Sequence, residues 1–342
     1  MQQVTGLRVD ANSEVAMGHM MRCITIAKQM RKQGGKTVFF TADGYAGDML
    51  EKAGMDWICL HTVWKQMEEE TDRLREEMQK TGCTRLLVDS YQVTRAYFDK
   101  IKDMGKIIYM DDCFADVYPV DMIINYNAYH VRFPYREAYE GRAKLLLGTE
   151  YVPLREEFQQ KYPRKKEKGG ILVSSGGGDA YDALSGILLY AAGSKELQQE
   201  IFHVVVGRFH PNRDKLEKLA GSAPNIRLHY DVSNMAELME QCDIAVSAAG
   251  TVLFELCAMQ IPAVFFVSAD NQQYDSEFFA RRERMLFAGD IRQDRAVCLR
   301  RVIEGLETLR RDEPMRERMK EALRQVTDGQ GAVRIAEEIG RL

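Results

Sequence analysis

The sequence predicts an α/β protein built as two doubly wound, Rossmann-like domains facing a cleft. Three observations carry that prediction. Short apolar, β-rich runs alternate with longer helical patterns along most of the 342 residues. Runs that are apolar on both faces and separated by helices belong to parallel sheets joined by right-handed crossovers. The alternation then restarts after a polar, charged, glycine-bounded segment, KYPRKKEKGG at 161–170, which has the composition of a solvated linker. The expected division is an N-terminal domain over 1–150, a linker over 151–170 and a C-terminal domain with terminal helices over 171–342, consistent with a length of about two domains.

The elements follow in order. A first strand covers Leu7 to Asp10, with a helix from about His19 to Lys32. Next come the strand Thr37–Phe40, a helix from Gly47 to Gly54, the strand Trp57–Leu60 and a charged helix near Trp64–Lys80. Strand Arg85–Val88, helix Thr94–Met104 and strands Ile107–Met110 and Met122–Asn125 complete the first half. Beyond the linker, strands are expected at Ile171–Ser174, Phe202–Val206, Ile226–His229, Asp243–Ser247 and Ala263–Val267. Helices at Asp179–Ala192, Asn212–Leu219, Met235–Gln241, Val252–Met259 and Gln272–Arg284 alternate with them, and the last fifty residues have the Arg and Glu spacing of two or three helices.

Composition narrows the function. Hydrophobic residues make up 45% and charged residues 29%, close to the globular average, so a fibrous or disordered chain is excluded. Forty-seven Lys and Arg against 51 Asp and Glu give a net charge of −4, which argues against a nucleic-acid or anionic-membrane partner. No apolar run approaches the roughly 20 residues of a membrane span. The opening Met1-Gln2-Gln3-Val4 is not a secretory signal. Seven scattered cysteines, Cys23, Cys59, Cys83, Cys113, Cys242, Cys257 and Cys298, form no CxxC pair and read as reduced thiols of a cytoplasmic protein. HExxH, CxxC and DxD patterns are absent, so no metal or cofactor is expected. Asp111 and Asp112 adjoin at a strand end, but neighbours on a strand point apart.

Ligands of open α/β sheets bind beyond the carboxyl ends of the strands, and four loops lie there. The first, RVDANSEVAMGHMMR at 8–22, leaves the first strand and opens a helix. Gly18 permits close backbone approach, and His19 falls in the first helical turn, where the helix dipole disfavours imidazolium. A histidine that merely caps the helix has the same position. The second loop, SSGGGD at 174–179, exposes backbone N–H groups at a helix N-terminus suited to phosphate; it fits neither the Walker nor the dinucleotide pattern, and a ligand-free glycine turn is the alternative. In the third, SAAGTVLFEL at 247–256, Thr251 can cap the next helix. Glu255, one turn on, offers two acceptor oxygens to a pair of ribose hydroxyls, unless it is a plain surface glutamate. The fourth, SADNQQ at 268–273, carries Asn271, which a helix N-cap would also explain.

Taken together, RVDANSEVAMGHMMRC (8–23), LLVDSYQ (86–92), YMDDCF (109–114), LLLGTEYVPLREEF (145–158), SSGGGD, SAAGTVLFELCAMQIP (247–262) and ADNQ (269–272) resemble the PseG/SpsG family in that family's order. The family acts as a UDP-2,4-diacetamido-2,4,6-trideoxy-β-L-altropyranose hydrolase of pseudaminic acid biosynthesis and is similar to MurG-type proteins of the GT-B fold. The resemblance implies a catalytic histidine at His19, a cleft asparagine at Asn271 and an active-site tyrosine at Tyr91. It implies nucleotide contacts at Gly176, Gly177, Gly178, Ala249, Gly250, Thr251 and Glu255. Arg8, Asp10, Gly18, Arg22 and Gln272 are further candidate substrate contacts. The usual GxGH pattern is replaced by Ala16-Met17-Gly18-His19, which leaves the identity of the sugar open.

Hydrolysis of a UDP-sugar has a good leaving group, so the carboxylate pair of a glycosidase is not required. A positioned water, a base and dipoles for the departing diphosphate suffice, and attack opposite the leaving group predicts inversion. The substrate partner is a UDP-sugar and the chain is expected to be a monomer. Three alternatives remain at this point: a GT-B glycosyltransferase using a UDP-sugar donor, a nucleotide-sugar epimerase, and a catalytically silent nucleotide-sugar-binding protein.

Overall fold

The structure is a computed structural model and describes residues 3–12, 17–159, 169–176, 179–207, 210–281 and 283–342, without the side chain of Asn271. The chain forms two compact units, Met1–Arg155 with Gln330–Leu342, and Glu156–Gly329.

Unit 1 contains β1 (Val4–Val9), α1 (Gly18–Lys32), β2 (Lys36–Thr41), α2 (Gly47–Lys52), β3 (Asp56–Cys59), α3 (Thr71–Thr81) and β4 (Cys83–Asp89). It continues through α4 (Arg95–Ile101), β5 (Lys106–Met110), β6 (Met122–Asn125), α5 (Tyr135–Tyr139) and β7 (Lys144–Leu147). The sheet order is β3-β2-β1-β4-β5-β6-β7, and every neighbouring pair is parallel. Leu7, Val9, Phe39, Phe40, Leu86, Leu87, Val88, Ile107 and Ile108 are almost fully buried, as expected of strands covered on both faces. Winding outward from β1 in one direction and from β4 in the other puts the topological switch point at the carboxyl ends of β1 and β4.

Unit 2 contains β8 (Gly170–Ser174), α6 (Ala183–Ala192), β9 (Phe202–Val206), α7 (Arg213–Ser222), β10 (Ile226–Tyr230), α8 (Met235–Met239) and β11 (Cys242–Ala248). Then follow α9 (Val252–Met259), β12 (Ala263–Val267), α10 (Gln273–Ala280), β13 (Leu286–Asp290), α11 (Arg295–Arg311) and α12 (Glu313–Arg324). The order β10-β9-β8-β11-β12-β13 is again wholly parallel, with its switch point at the ends of β8 and β11.

Two doubly wound parallel-sheet units are present as predicted, with several corrections. The edge strands β7 and β13 were not anticipated: each is only four or five residues long, and both lack the run of fully buried residues that marks a central strand. The charged helix expected near Trp64–Lys80 divides into a 3-10 turn, Met67–Glu69, and α3. Helix α6 starts at Ala183 rather than Asp179, because the Asp179 carboxylate accepts hydrogen bonds from the amides of Ala183 (2.7 Å) and Leu184 (3.0 Å) and so sits in front of the helix. The C-terminal helix Gly331–Gly340 belongs to unit 1, not to the second half of the chain. A side chain at Gly331 would place Cβ 2.2 Å from the Val152 carbonyl oxygen, so only glycine lets this helix dock there. The stretch 160–168 of the expected linker lies outside the described residues. Among the described residues no helix is long and apolar enough to cross a membrane, no group of three or more His, Cys, Asp or Glu can hold a metal ion, and the seven cysteines are free thiols.

Candidate active site

In unit 1 the switch point is built from ionised side chains. His19 is the second residue of α1, whose N-cap position is Met17, so it does not cap the helix. Its Nδ1 lies 2.6 Å from Asp89 Oδ1, at the last residue of β4. The short contact with the carboxylate assigns a proton to Nδ1, which donates to Asp89, with Arg22 Nη2 also 3.1 Å from that nitrogen; in the neutral ring of this tautomer Nε2 is the acceptor. Asp89 has no exposed side-chain surface. It also accepts from Arg22 Nε and Nη2, both at 2.6 Å, and from the Cys23 thiol at 3.4 Å. Burial alone would push the Asp89 carboxyl up, but the Arg22 guanidinium and His19 outweigh it and hold Asp89 well below the usual carboxylate range.

Arg22, one turn after His19 on α1, joins this carboxylate to a second. Its Nη1 donates to Asp112 Oδ2 at 2.9 Å and to the Tyr126 hydroxyl at 2.7 Å. Burial opposes its charge, yet Asp112 and Asp89 together keep the guanidinium firmly protonated. The Tyr91 hydroxyl also donates to Asp112 Oδ2, at 2.9 Å, and Asn127 Nδ2 donates to Asp112 Oδ1 at 2.9 Å. Desolvation of its hydroxyl and the adjacent Asp112 charge push the Tyr91 phenol above its ordinary pKa, so it is a neutral donor. The Tyr91 ring, 55% exposed, meets the His19 ring edge-to-face with centroids 4.7 Å apart. Asp111 faces elsewhere, accepting from the amides of Cys113 (3.0 Å) and Phe114 (2.8 Å), as neighbours on a strand should.

The structure thus brings His19, Tyr91 and Arg22 together and commits the Arg22 guanidinium internally. Arg8 and Asp10 are also committed. Arg8 is fully buried; its Nε and Nη2 donate to the two oxygens of Glu70, both at 2.6 Å, and its Nη1 to Asp10 Oδ2 at 2.6 Å. Asp10 Oδ1 accepts from the Ala42 amide at 2.8 Å. These two residues brace the ends of β1 and β2, with the Arg8 guanidinium engaged by Glu70 and Asp10. A Cβ on Gly18 would meet nothing within 4 Å, so the space beside His19 is open. Ala16 lies outside the described residues.

Unit 2 has a different switch point, in which small residues and backbone lie beside the Asp179–His210 pair and Glu255. After β8 the chain turns at Gly176, whose φ of +78° needs glycine and whose amide donates to Ser174 Oγ at 3.2 Å. Gly177 and Gly178 lie outside the described residues. The Asp179 carboxylate occupies the α6 N-terminus where an anion was expected, and it also contacts His210 Nε2 at 3.1 Å. After β11, the Ala249 amide donates to the Phe266 carbonyl (2.8 Å) and the Gly250 amide to the Ala248 carbonyl (2.9 Å). Thr251 holds the N-cap position of α9 without a side-chain capping bond, contrary to expectation. Glu255 is nearly buried. Open space lies beside both Gly176 and Gly250. Asn271 stands inside the 3-10 turn Asp270–Gln272, whose N-cap is Ala269, so it is not an N-cap residue. Gln272 Oε1 accepts from the Ser268 amide (2.8 Å) and hydroxyl (3.2 Å).

Sequence reasoning missed Asp89, Asp112, Asn127, Tyr126, Asp179 and His210. Asp89 carried a usable signal: it ends an apolar strand (LLVD) as Asp10 does (LRV-D).

Comparison with known proteins fits this geometry. Residues 171–338 match the glycosyltransferase family 28 C-terminal domain. The spore coat polysaccharide biosynthesis protein SpsG of Bacillus subtilis is 22% identical over 336 residues, covering 96% of this chain and 96% of SpsG. A UDP-2,4-diacetamido-2,4,6-trideoxy-β-L-altropyranose hydrolase of Campylobacter jejuni is 24% identical over 280 residues, covering 80% of this chain and 95% of the hydrolase. Among solved structures, Acinetobacter baumannii MurG superposes with a TM-score of 0.69 at 12% identity, over 100% of both chains. The UDP-GlcNAc 2-epimerase of Neisseria meningitidis, bound to UDP-GlcNAc, gives 0.63 at 12% identity, also over 100% of both. The chain is therefore similar along most of its length to SpsG and to the altropyranose hydrolase, its residues 171–338 match the family 28 C-terminal domain, and its fold is the MurG-like GT-B fold.

Proposed function

We propose that this protein is a nucleotide-sugar hydrolase that cleaves the anomeric C–O bond of a UDP-sugar, UDP-2,4-diacetamido-2,4,6-trideoxy-β-L-altrose or a close relative, with inversion. It releases UDP and the free sugar for nonulosonic (pseudaminic) acid synthesis. The observation that carries the reading is the His19–Asp89 pair: an imidazole whose Nδ1–H is held by a buried carboxylate at 2.6 Å has Nε2 ready to accept a proton. His19 Nε2 removes a proton from water and the water oxygen attacks the anomeric carbon. The bond to the diphosphate breaks with its electron pair leaving on UDP. Asp89 keeps the ring in the productive tautomer and pairs with the imidazolium that forms, a base role worth about 10²–10⁴-fold. Unit 2 holds the nucleotide at Gly176–Gly178, Ala249–Thr251 and Glu255, with Glu255 on the ribose hydroxyls. Tyr91 and Asn271 orient water or sugar. The homologous altropyranose hydrolase supports this substrate class, and no metal is assigned a step.

The MurG likeness favours a second reading, a glycosyltransferase that uses the same donor and a sugar or lipid acceptor. The test is UDP release from a panel of UDP-sugars in EDTA, with no acceptor. Release that disappears in His19→Ala supports the hydrolase. UDP binding without release from any donor supports the transferase.

A further inference from the structure

Asp112 makes no hydrogen bond to His19, yet the geometry around it fits a role beyond scaffolding. Arg22 lies between two carboxylates, Asp89 with two bonds at 2.6 Å and Asp112 at 2.9 Å. One guanidinium between two carboxylates leaves one negative charge. If Asp89 were the only acid, Arg22 would cancel it, and the ring would face a neutral pair at the moment it becomes cationic. The polar atoms around Asp112 fit a carboxylate: Oδ2 receives Arg22 Nη1 and Tyr91 OH, and Oδ1 receives Asn127 Nδ2. All three partners are donors, and the side chain is almost buried, where charges act at short range with little screening.

We infer that Asp112 is a positioning residue whose charge, carried through Arg22, leaves the cluster net negative and so stabilises the imidazolium that His19 becomes on taking the water proton. This rests on the reading of His19 as the base. It assigns the YMDDCF segment a function that the strand geometry divides between its two acids: Asp112 belongs to the charge cluster, and Asp111 to the turn at Cys113 and Phe114.

Asp112→Asn removes the charge but keeps an oxygen for Arg22 and Tyr91. Its new amide would oppose the Asn127 amide, so a second variant separates charge from packing. Exchanging the two side chains, Asp112→Asn with Asn127→Asp, returns one carboxylate and one amide to the same pair, while giving up the 3.1 Å bond from Asn127 Nδ2 to Asn125 Oδ1. The single variant is expected to lose about tenfold or more in kcat with KM within about threefold, and the exchange to recover to within about fivefold of wild type. A kcat within about twofold of wild type in the single variant overturns the inference, as does an exchange variant that is no better than the single one while its melting temperature matches wild type.

A second readout needs no substrate. Diethyl pyrocarbonate is attacked at a carbonyl by imidazole Nε2, expelling ethyl carbonate and leaving the ring transiently cationic. Mass spectrometry of the His19 peptide reads its rate. That rate should fall in Asp112→Asn and return in the exchange, and an unchanged rate overturns the inference. Should wild type release no UDP from any sugar, the hydrolase reading fails while this labelling still decides the role of Asp112.

Discussion

The two units share a sheet design but load their switch points differently. Where β1 and β4 end, unit 1 gathers His19, Asp89, Arg22 and Asp112 into one hydrogen-bonded network of charged groups. Where β8 and β11 end, unit 2 offers Gly176, Ala249, Gly250 and Thr251, with open space beside the glycines. The first arrangement is what proton transfer needs, preorganised charge held by neighbours. The second is what a bulky ligand needs, backbone it can approach closely. Under the proposed function, the same topology would carry the chemistry in unit 1 and the nucleotide in unit 2.

The largest expected effect breaks the comparison on the chemical side. His19→Ala should reduce kcat by about 10²–10⁴-fold while calorimetry finds the wild-type affinity for UDP, and Asp89→Asn should cost up to about 10⁴-fold through the wrong tautomer. A loss of UDP affinity in either variant would mean that unit 1 also binds the nucleotide.

Next in size is a stability effect. Arg8→Met leaves Glu70 and Asp10 buried without their cation, which should destabilise the protein by about 3–5 kcal/mol in a denaturant titration. A change in substrate KM without loss of stability would instead restore Arg8 to the substrate site.

On the binding side, Glu255→Ala should weaken UDP by about tenfold, the cost of two lost charge-assisted hydrogen bonds, with kcat at saturation little altered. Unchanged UDP affinity would remove Glu255 from the nucleotide site.

The smallest effect concerns acid stability. In unit 2, His203 Nδ1 and His229 Nε2 are 3.1 Å apart, and burial, with His229 and Arg227 nearby, lowers the His203 pKa to about 4. The unfolded chain, with an ordinary histidine pKa of about 6.5, binds this proton first. The stability tied to neutral His203 is therefore complete above about pH 6.5 and lost as the pH falls towards about 4, by about 1–3 kcal/mol. His203→Gln should flatten the dependence of melting temperature on pH across that window, and an unaltered slope would assign it to other groups.

Both sheets were legible because strands buried on both faces advertise themselves as apolar runs, and because strand-end loops follow from that order. His19 and Tyr91 were legible through motif resemblance, and the structure joins them through rings 4.7 Å apart. Asp89 was legible only as a strand-end acid, and the grouping of Asp89 with Asp112 was not, since a buried carboxylate declares its partners only through donors that arrive from other elements, here a helix 67 and 90 residues away in sequence. The partner of Arg8 was hidden in the same way: Glu70 lies 62 residues on. The last helix was legible as a helix, but amphipathic spacing does not say which core its apolar face covers.

The division between chemistry and binding is tested most directly by measuring UDP affinity and acceptor-free UDP release side by side in His19→Ala and Glu255→Ala. The account predicts opposite outcomes: wild-type affinity with release abolished in the first, and weakened affinity with release at saturation retained in the second. Affinity and release falling together in both variants would contradict it.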